Sequence, residues 1–177
     1  LITEASAASK YDFNNLMVPF RCVASDIRYN RPYILRKGDL GSAIRASMTF
    51  PFYFKPIRID GKLLFDGGMY NNFPSDVVME DFFPDIIIGS KAAGNYDPPK
   101  EDDVVSQLSS MLMGETNFDL YCDASVLVEP RLKDVNVIDF SNTAAFIDSG
   151  YVATQRLIPS IRQFVVDTVS LAMHDSI

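Results

Sequence analysis

The stretch that most constrains this chain runs from Lys37 to Pro74, KGDLGSAIRASMTFPFYFKPIRIDGKLLFDGGMYNNFP. Five of the protein's nine glycines fall inside it, so turns and close backbone approaches concentrate here. Asp39 is placed to cap a helix from Leu40 to about Met48, with Leu40, Ile44 and Met48 along one face. Ile57-Arg58-Ile59 and Leu63-Leu64-Phe65 flank Asp60-Gly61-Lys62, a compact hairpin signal. The second of those apolar bursts runs into Asp66-Gly67-Gly68. An acidic residue beside two glycines at a strand end reads either as a turn or as a carboxylate held for chemistry. Between helix and hairpin, Phe50, Phe52, Tyr53 and Phe54 form an aromatic run interrupted by Pro51. It suits core packing beside a sheet edge, or the wall of a groove for an acyl chain.

The rest of the chain alternates strands with helices. Leu16 to Ile27 is a largely apolar run, expected to be a strand buried on both faces, as in a mostly parallel sheet. Tyr33-Ile34-Leu35, entered through Pro32, suits an edge strand. Pro74 opens a helix to about Phe82, with Val77 and Val78 inward. Asp85 to Gly89 predicts a second buried strand and Val126-Leu127-Val128 a third. Val104 to Met113 predicts a helix that stops near Gly114. A long helical pattern runs from Asn142 to Val169, with breaks expected at Gly150 or Pro159. Leu1 to Asn15 is expected to be a loop or a frayed helix end. The alternation gives an α/β layered domain with a mostly parallel central sheet and flanking helices.

Composition removes several classes of function. At 177 residues the chain suits one domain, here taken as 1–177, with a real core. A net charge of -7 and the lack of a basic helix argue against nucleic acid, and against electrostatic docking on anionic lipid, though not against apolar contact with a membrane surface. The single histidine, His174, excludes a multi-histidine zinc site and a histidine base elsewhere. No phosphate loop or dinucleotide fingerprint is present, so no cofactor is expected. The acidic loop residues Glu101, Asp102 and Asp103 lack a calcium spacing and read as a solvated helix start. Cys22 and Cys122 read as core or ordinary thiols.

Ala43-Ile44-Arg45-Ala46-Ser47, then Pro51, Phe54 and Pro56, then Asp60-Gly61-Lys62, Asp66-Gly67-Gly68, Asn71-Asn72 and Pro74 resemble the C-terminal half of a patatin-like phospholipase in order and spacing. Arg21 to Ile27 upstream, and Asp85 to Ser90 and Val137 to Phe140 downstream, are similar to the same family. The resemblance implies the C-terminal part of a patatin-like fold and a lipid acyl hydrolase in which a serine attacks the ester and an aspartate is its base. It carries the base onto Asp66, with Gly67 and Gly68 as support, and implies a phospholipid or other acyl ester as substrate. The Gly-x-Ser-x-Gly elbow and the glycine-rich oxyanion loop are absent from these residues, and Ser42 and Ser47 lack the elbow's surroundings. The chain, opening on Leu1, is therefore expected to be part of a longer enzyme, inactive alone; the alternative is a non-catalytic lipid- or protein-binding domain. An uncovered sheet edge would favour self-association, felt at Phe20, Val23, Ile86, Ile87 and Ile88. Bacterial cytoplasm and cell envelope are both compatible locations.

Overall fold

The computed structural model describes residues 1–95, 98–99, 101–132 and 141–165. They divide into two compact units, Leu1–Phe82 with Gly94–Asp119, and Phe83–Ala93 with the residues from Leu120 onward. The first unit holds a four-stranded sheet of β1 (Cys22–Asp26), β2 (Arg31–Leu35), β3 (Ile57–Ile59) and β4 (Lys62–Asp66) in the order β2-β1-β4-β3. All three pairings are antiparallel, so the mostly parallel central sheet expected from the sequence is not the sheet formed here. The connections explain the difference. Asp60 and Gly61 both take left-handed φ, 48° and 75°, which closes a two-residue hairpin between β3 and β4. Four residues, 27–30, join β1 to β2, far too few for the crossover that a parallel pair requires.

Strand β1 is buried along all five residues, as its apolar run predicts. Small side chains make that double burial feasible. On one face, Cys22 and Ala24 meet Ala43 and Ala46 of α2 (Leu40–Ser47), whose first turn is capped by Asp39 accepting from Ser42 N at 2.8 Å. The core adds Phe13, Leu35 and Leu64. Phe13 corrects the loop expected at the N-terminus, because its ring is fully buried. Helix α1 (Ile2–Ala8) brings the buried Ser6 hydroxyl to accept from Leu40 N at 3.0 Å, and Phe13 N donates to Arg36 O at 3.0 Å. The segment is thus tied to both ends of the 36–40 turn. At the end of β1, Asp26 accepts from Arg28 N at 3.1 Å, while its Oδ2, also buried, has no partner among the described residues.

In the second unit, β5 (Ile87–Ser90) and β6 (Ser125–Val128) pair in parallel. Burial alternates along β5, with Ile87 inside and Ile88 exposed, so this strand is covered on one face rather than two. Helix α5 (Thr143–Phe164) runs unbroken through Gly150 and Pro159. Proline removes one N–H and tends to bend a helix, but the bonds before and after it carry this one through. In the first unit, α3 (Ser75–Phe82) follows Pro74 and buries Val77, and α4 (Val104–Leu112) ends before Gly114. The run at 137–140, the end of the long helical pattern beyond 165 and His174 lie outside the described residues. Both cysteines are free thiols.

An ion cluster locks α3 to the sheet. Asp81 accepts from Arg21 Nε, and from Arg36 Nε and Nη2 at 2.7 and 2.9 Å. Arg21 also donates to Asn14 Oδ1 at 2.8 Å and lies 4.5 Å from the Phe82 ring centroid. Arg36 chiefly, with Arg21, lowers the Asp81 carboxyl to about 2. Since the folded value lies below the unfolded one, this stabilisation is complete above about pH 4 and is lost as the pH falls towards about 2. Replacing Asp81 by Asn leaves the nearly buried Arg21 without its counter-charge and is expected to cost about 2–3 kcal/mol at neutral pH. Urea denaturation at neutral pH and at the acid end of that window checks both statements: the variant should lose less stability on acidification than the parent.

Candidate active site

Asp66 is the last residue of β4, one of the two inner strands of the sheet, and lies at the opposite end from the Asp60-Gly61 hairpin. Its backbone is held on two sides. Asp66 N donates to Thr49 O at 2.9 Å, and the buried Ser25 hydroxyl donates to Asp66 O at 2.7 Å. The side chain is half-buried, and Oδ1 accepts from Gly68 N at 2.7 Å. No hydrogen bond engages Oδ2 among the described residues. Burial pushes this carboxyl above the ordinary carboxylate value, opposed by the Gly68 N–H. The result is a carboxylate with one oxygen fixed, the other available, and a raised proton affinity. Those are the properties a general base at a strand end requires.

The two glycines are there for space. A Cβ on Gly67 would stand 2.4 Å from Val23 O, and one on Gly68 would stand 2.8 Å from Asn72 Oδ1 and 3.0 Å from Asp66 Oδ1. Only glycine lets the chain turn against β1 at once and lets Gly68 N reach back to the carboxylate. The turn, Gly67–Met69, is a 3-10 turn from which Tyr70 N and Asn71 N both donate to Gly67 O. Tyr70 OH then reaches Asn30 Oδ1 at 3.1 Å. Asp66, Gly67 and Gly68 therefore form one rigid corner, braced by Val23, Ser25, Thr49 and Tyr70. The bracing residues carry no signal in the sequence, because their contacts cross pairings that no local pattern reveals.

No serine hydroxyl lies on the Asp66 carboxylate among the described residues. The Ser25 hydroxyl is spent on the Asp66 carbonyl. Ser42 and Ser47 sit in α2, Ser47 beside Cys22, whose thiol burial pushes up. The aromatic run does not pack in the core: Phe50 is half-buried against Tyr53, with centroids 5.7 Å apart, while Phe52, Tyr53 and Phe54 are exposed. A groove of about 600 Å³ lies in the second unit, between Leu127, Arg131 and the Ser149–Leu157 part of α5, and includes none of these residues. Among the described residues no cluster of three His, Cys, Asp or Glu side chains is arranged to hold a metal, and no helix is long and apolar enough to cross a membrane.

Comparison with known proteins falls on the same corner. The family model for the patatin-like phospholipase matches residues 10–79, a window that includes β1 to β4 and Asp66-Gly67-Gly68. An uncharacterized NTE family protein of Mycobacterium tuberculosis is 24% identical over 165 residues, covering 77% of this chain and 28% of the relative. A patatin-like phospholipase domain-containing protein of Caenorhabditis elegans is 38% identical over 66 residues, and patatin-like phospholipase domain-containing protein 6 of Mus musculus is 38% identical over 65. Each of these two covers 36% of this chain and 5% of the relative. The chain thus spans well under a third of the relatives it matches. Over residues 10–79 the chain is similar to the patatin-like phospholipase family.

Proposed function

We propose that residues 1–177 are the C-terminal part of a single patatin-like acyl hydrolase domain, and that they supply the catalytic base of a lipid acyl hydrolase acting on a phospholipid or another acyl ester. The observation that carries the reading is the Asp66 carboxylate itself, half-buried, pinned through Oδ1 by Gly68 N and open at Oδ2. In this reading Oδ2 accepts the proton of a serine hydroxyl as the serine oxygen bonds to the ester carbonyl carbon. The protonated carboxyl then returns that proton to the leaving alcohol, which departs as the acyl-serine forms. Water repeats the sequence on the acyl-serine, with Asp66 again taking and returning one proton, and the fatty acid is released. The serine and the oxyanion donors come from residues outside this sequence. A non-catalytic lipid- or protein-binding domain of the same fold is the second reading, and the lack of a hydroxyl on the Asp66 carboxylate among the described residues favours it.

The chain alone is expected to show no turnover of a short-chain ester, since acyl transfer needs nucleophile, base and oxyanion site together. Hydrolysis above a heat-killed control that a fluorophosphonate abolishes would reject that division of labour. In a protein that joins this chain to a Gly-x-Ser-x-Gly segment, Asp66→Asn should remove ester hydrolysis by a factor of about 10³ or more. The parent's rate should rise with pH through an apparent value above that of an ordinary carboxylate, because only the ionised form accepts the proton. Stability runs the other way. A folded-state value raised above the unfolded one means a contribution present at low pH and lost as pH rises through it, so Asp66→Asn should fold at least as stably as the parent at neutral pH. An Asn variant that still turns over ester would reject Asp66 as the base.

Gly67→Ala tests the corner. The added methyl meets the Val23 carbonyl at 2.4 Å, and strand β1 is buried on both faces and has no room to yield. A loss of about 2–4 kcal/mol is expected in thermal or urea denaturation, against a few tenths for Gly94→Ala, where a Cβ meets nothing within 4 Å.

A further inference from the structure

The segment from Leu40 to Ile59 is unevenly composed. It contains Arg45, Lys55 and Arg58 and no acidic residue, in a chain of net charge -7. The same segment exposes Met48, Phe52, Tyr53 and Phe54, with 59, 61, 52 and 55% of their surfaces in solvent. Four large apolar side chains this open within seven residues are unusual on a protein surface. All three basic side chains are exposed as well. Arg45 and Lys55 carry no ion pair among the described residues, and Arg58 donates only to Gly61 O at 3.0 Å. The acidic residues that bound the segment are occupied, Asp39 in capping α2 and Asp60 in accepting from Tyr33 OH.

The backbone presents these rings deliberately. Pro51 is buried beneath the loop, and Phe54 N donates to Phe50 O at 3.1 Å, closing a single tight turn. Phe52, at its apex, has φ 70°, a left-handed conformation that is costly for an aromatic residue and turns its ring outward. The loop hangs from Thr49, whose carbonyl accepts Asp66 N at 2.9 Å, so the patch adjoins the corner that carries the candidate base.

We infer that Met48, Phe52, Tyr53 and Phe54, with the basic Arg45, Lys55 and Arg58 of the same segment, form an interfacial docking surface for an anionic lipid bilayer. Aromatic rings partition to the headgroup level, and each basic side chain beside them gains from a negative surface potential. Charge complementarity selects this occupant. A neutral protein surface would leave these basic residues unused, whereas an anionic membrane uses them and the rings together. The overall negative charge then keeps the rest of the molecule off the membrane, so that it docks by this edge. The inference rests on the acyl-hydrolase reading for why a lipid surface should be met beside Asp66, but its test does not depend on turnover.

The protein has no tryptophan, so Phe54→Trp installs a single reporter on the patch. Added vesicles of phosphatidylcholine with phosphatidylglycerol should shift its emission to the blue, and pure phosphatidylcholine vesicles should do so more weakly. In sedimentation with the mixed vesicles, Phe52→Ser with Phe54→Ser should weaken binding about tenfold or more. Lys55→Glu with Arg58→Glu should erase the difference between mixed and neutral vesicles. These side chains are exposed, so the variants should keep the parent's circular dichroism and melting temperature. Asp66→Asn should bind vesicles like the parent, which separates failure of the docking surface from failure of the catalytic reading. Absence of binding to either vesicle, or binding that survives both double substitutions, would overturn the inference. So would concentration-dependent self-association in light scattering that the Phe52, Phe54 substitutions abolish, since the patch would then be covered by a second copy.

Discussion

A strand of five small side chains, closed to solvent on both faces, sets the spacing of everything in the first unit. Because Cys22 and Ala24 are short, α2 can lay Ala43 and Ala46 directly on the sheet, close enough for the Cys22 thiol to donate to Ala43 O at 3.2 Å. Because the opposite side of β1 offers a bare carbonyl at Val23, the chain leaving β4 can turn against it, provided the turning residue has no Cβ. Those two close approaches fix α2, β4 and the 66–69 corner relative to one another. Larger residues in β1 would separate the layers and move Asp66 away from the Thr49 and Ser25 contacts that hold its backbone.

Polar groups buried in this frame are expensive, and the two strand-end carboxylates meet the cost differently. Asp26 satisfies one oxygen through the turn it terminates and leaves the other without a donor among the described residues, a penalty on the order of 1–3 kcal/mol. Asp66 is less deeply enclosed, has one oxygen pinned by a main-chain N–H and keeps its second oxygen accessible. That arrangement stores proton affinity rather than structure. The Arg21–Asp81–Arg36 cluster is the reverse case: two guanidinium groups hold Asp81 ionised, and the group contributes to holding α3 in place.

The aromatic segment between these features shows how composition can mislead when averaged over a chain. A net charge of -7 argues against an anionic surface as partner, yet charge acts over roughly a Debye length, about 8–10 Å, and not over the whole molecule. Within that range of Phe52 and Phe54 the neighbouring residues along the chain are basic or neutral. The rings alone suit either core packing or a groove wall. Their exposure follows from Pro51 taking the inward position and from the left-handed φ at Phe52 that reverses the chain.

What the sequence determined by itself is everything that a few consecutive residues decide through their own φ, ψ and hydrogen bonds. Asp39 capping α2, the Asp60-Gly61 hairpin, Pro32 on an edge strand, Pro74 opening α3 and Asp66 ending a strand beside two glycines are all of that kind. The candidate site was legible for the same reason, since its three residues are joined by peptide bonds and must lie together. Tertiary structure alone decided which strands pair and in what direction, the burial of Phe13, and the contact of Gly67 with Val23. It also decided the meeting of Asp81 with Arg21 and Arg36, sixty and forty-five residues away. An apolar run looks the same in a parallel or an antiparallel sheet, and a phenylalanine looks the same inside or outside. Both outcomes depend on which distant surface arrives to cover them, and that is fixed only when the layers close.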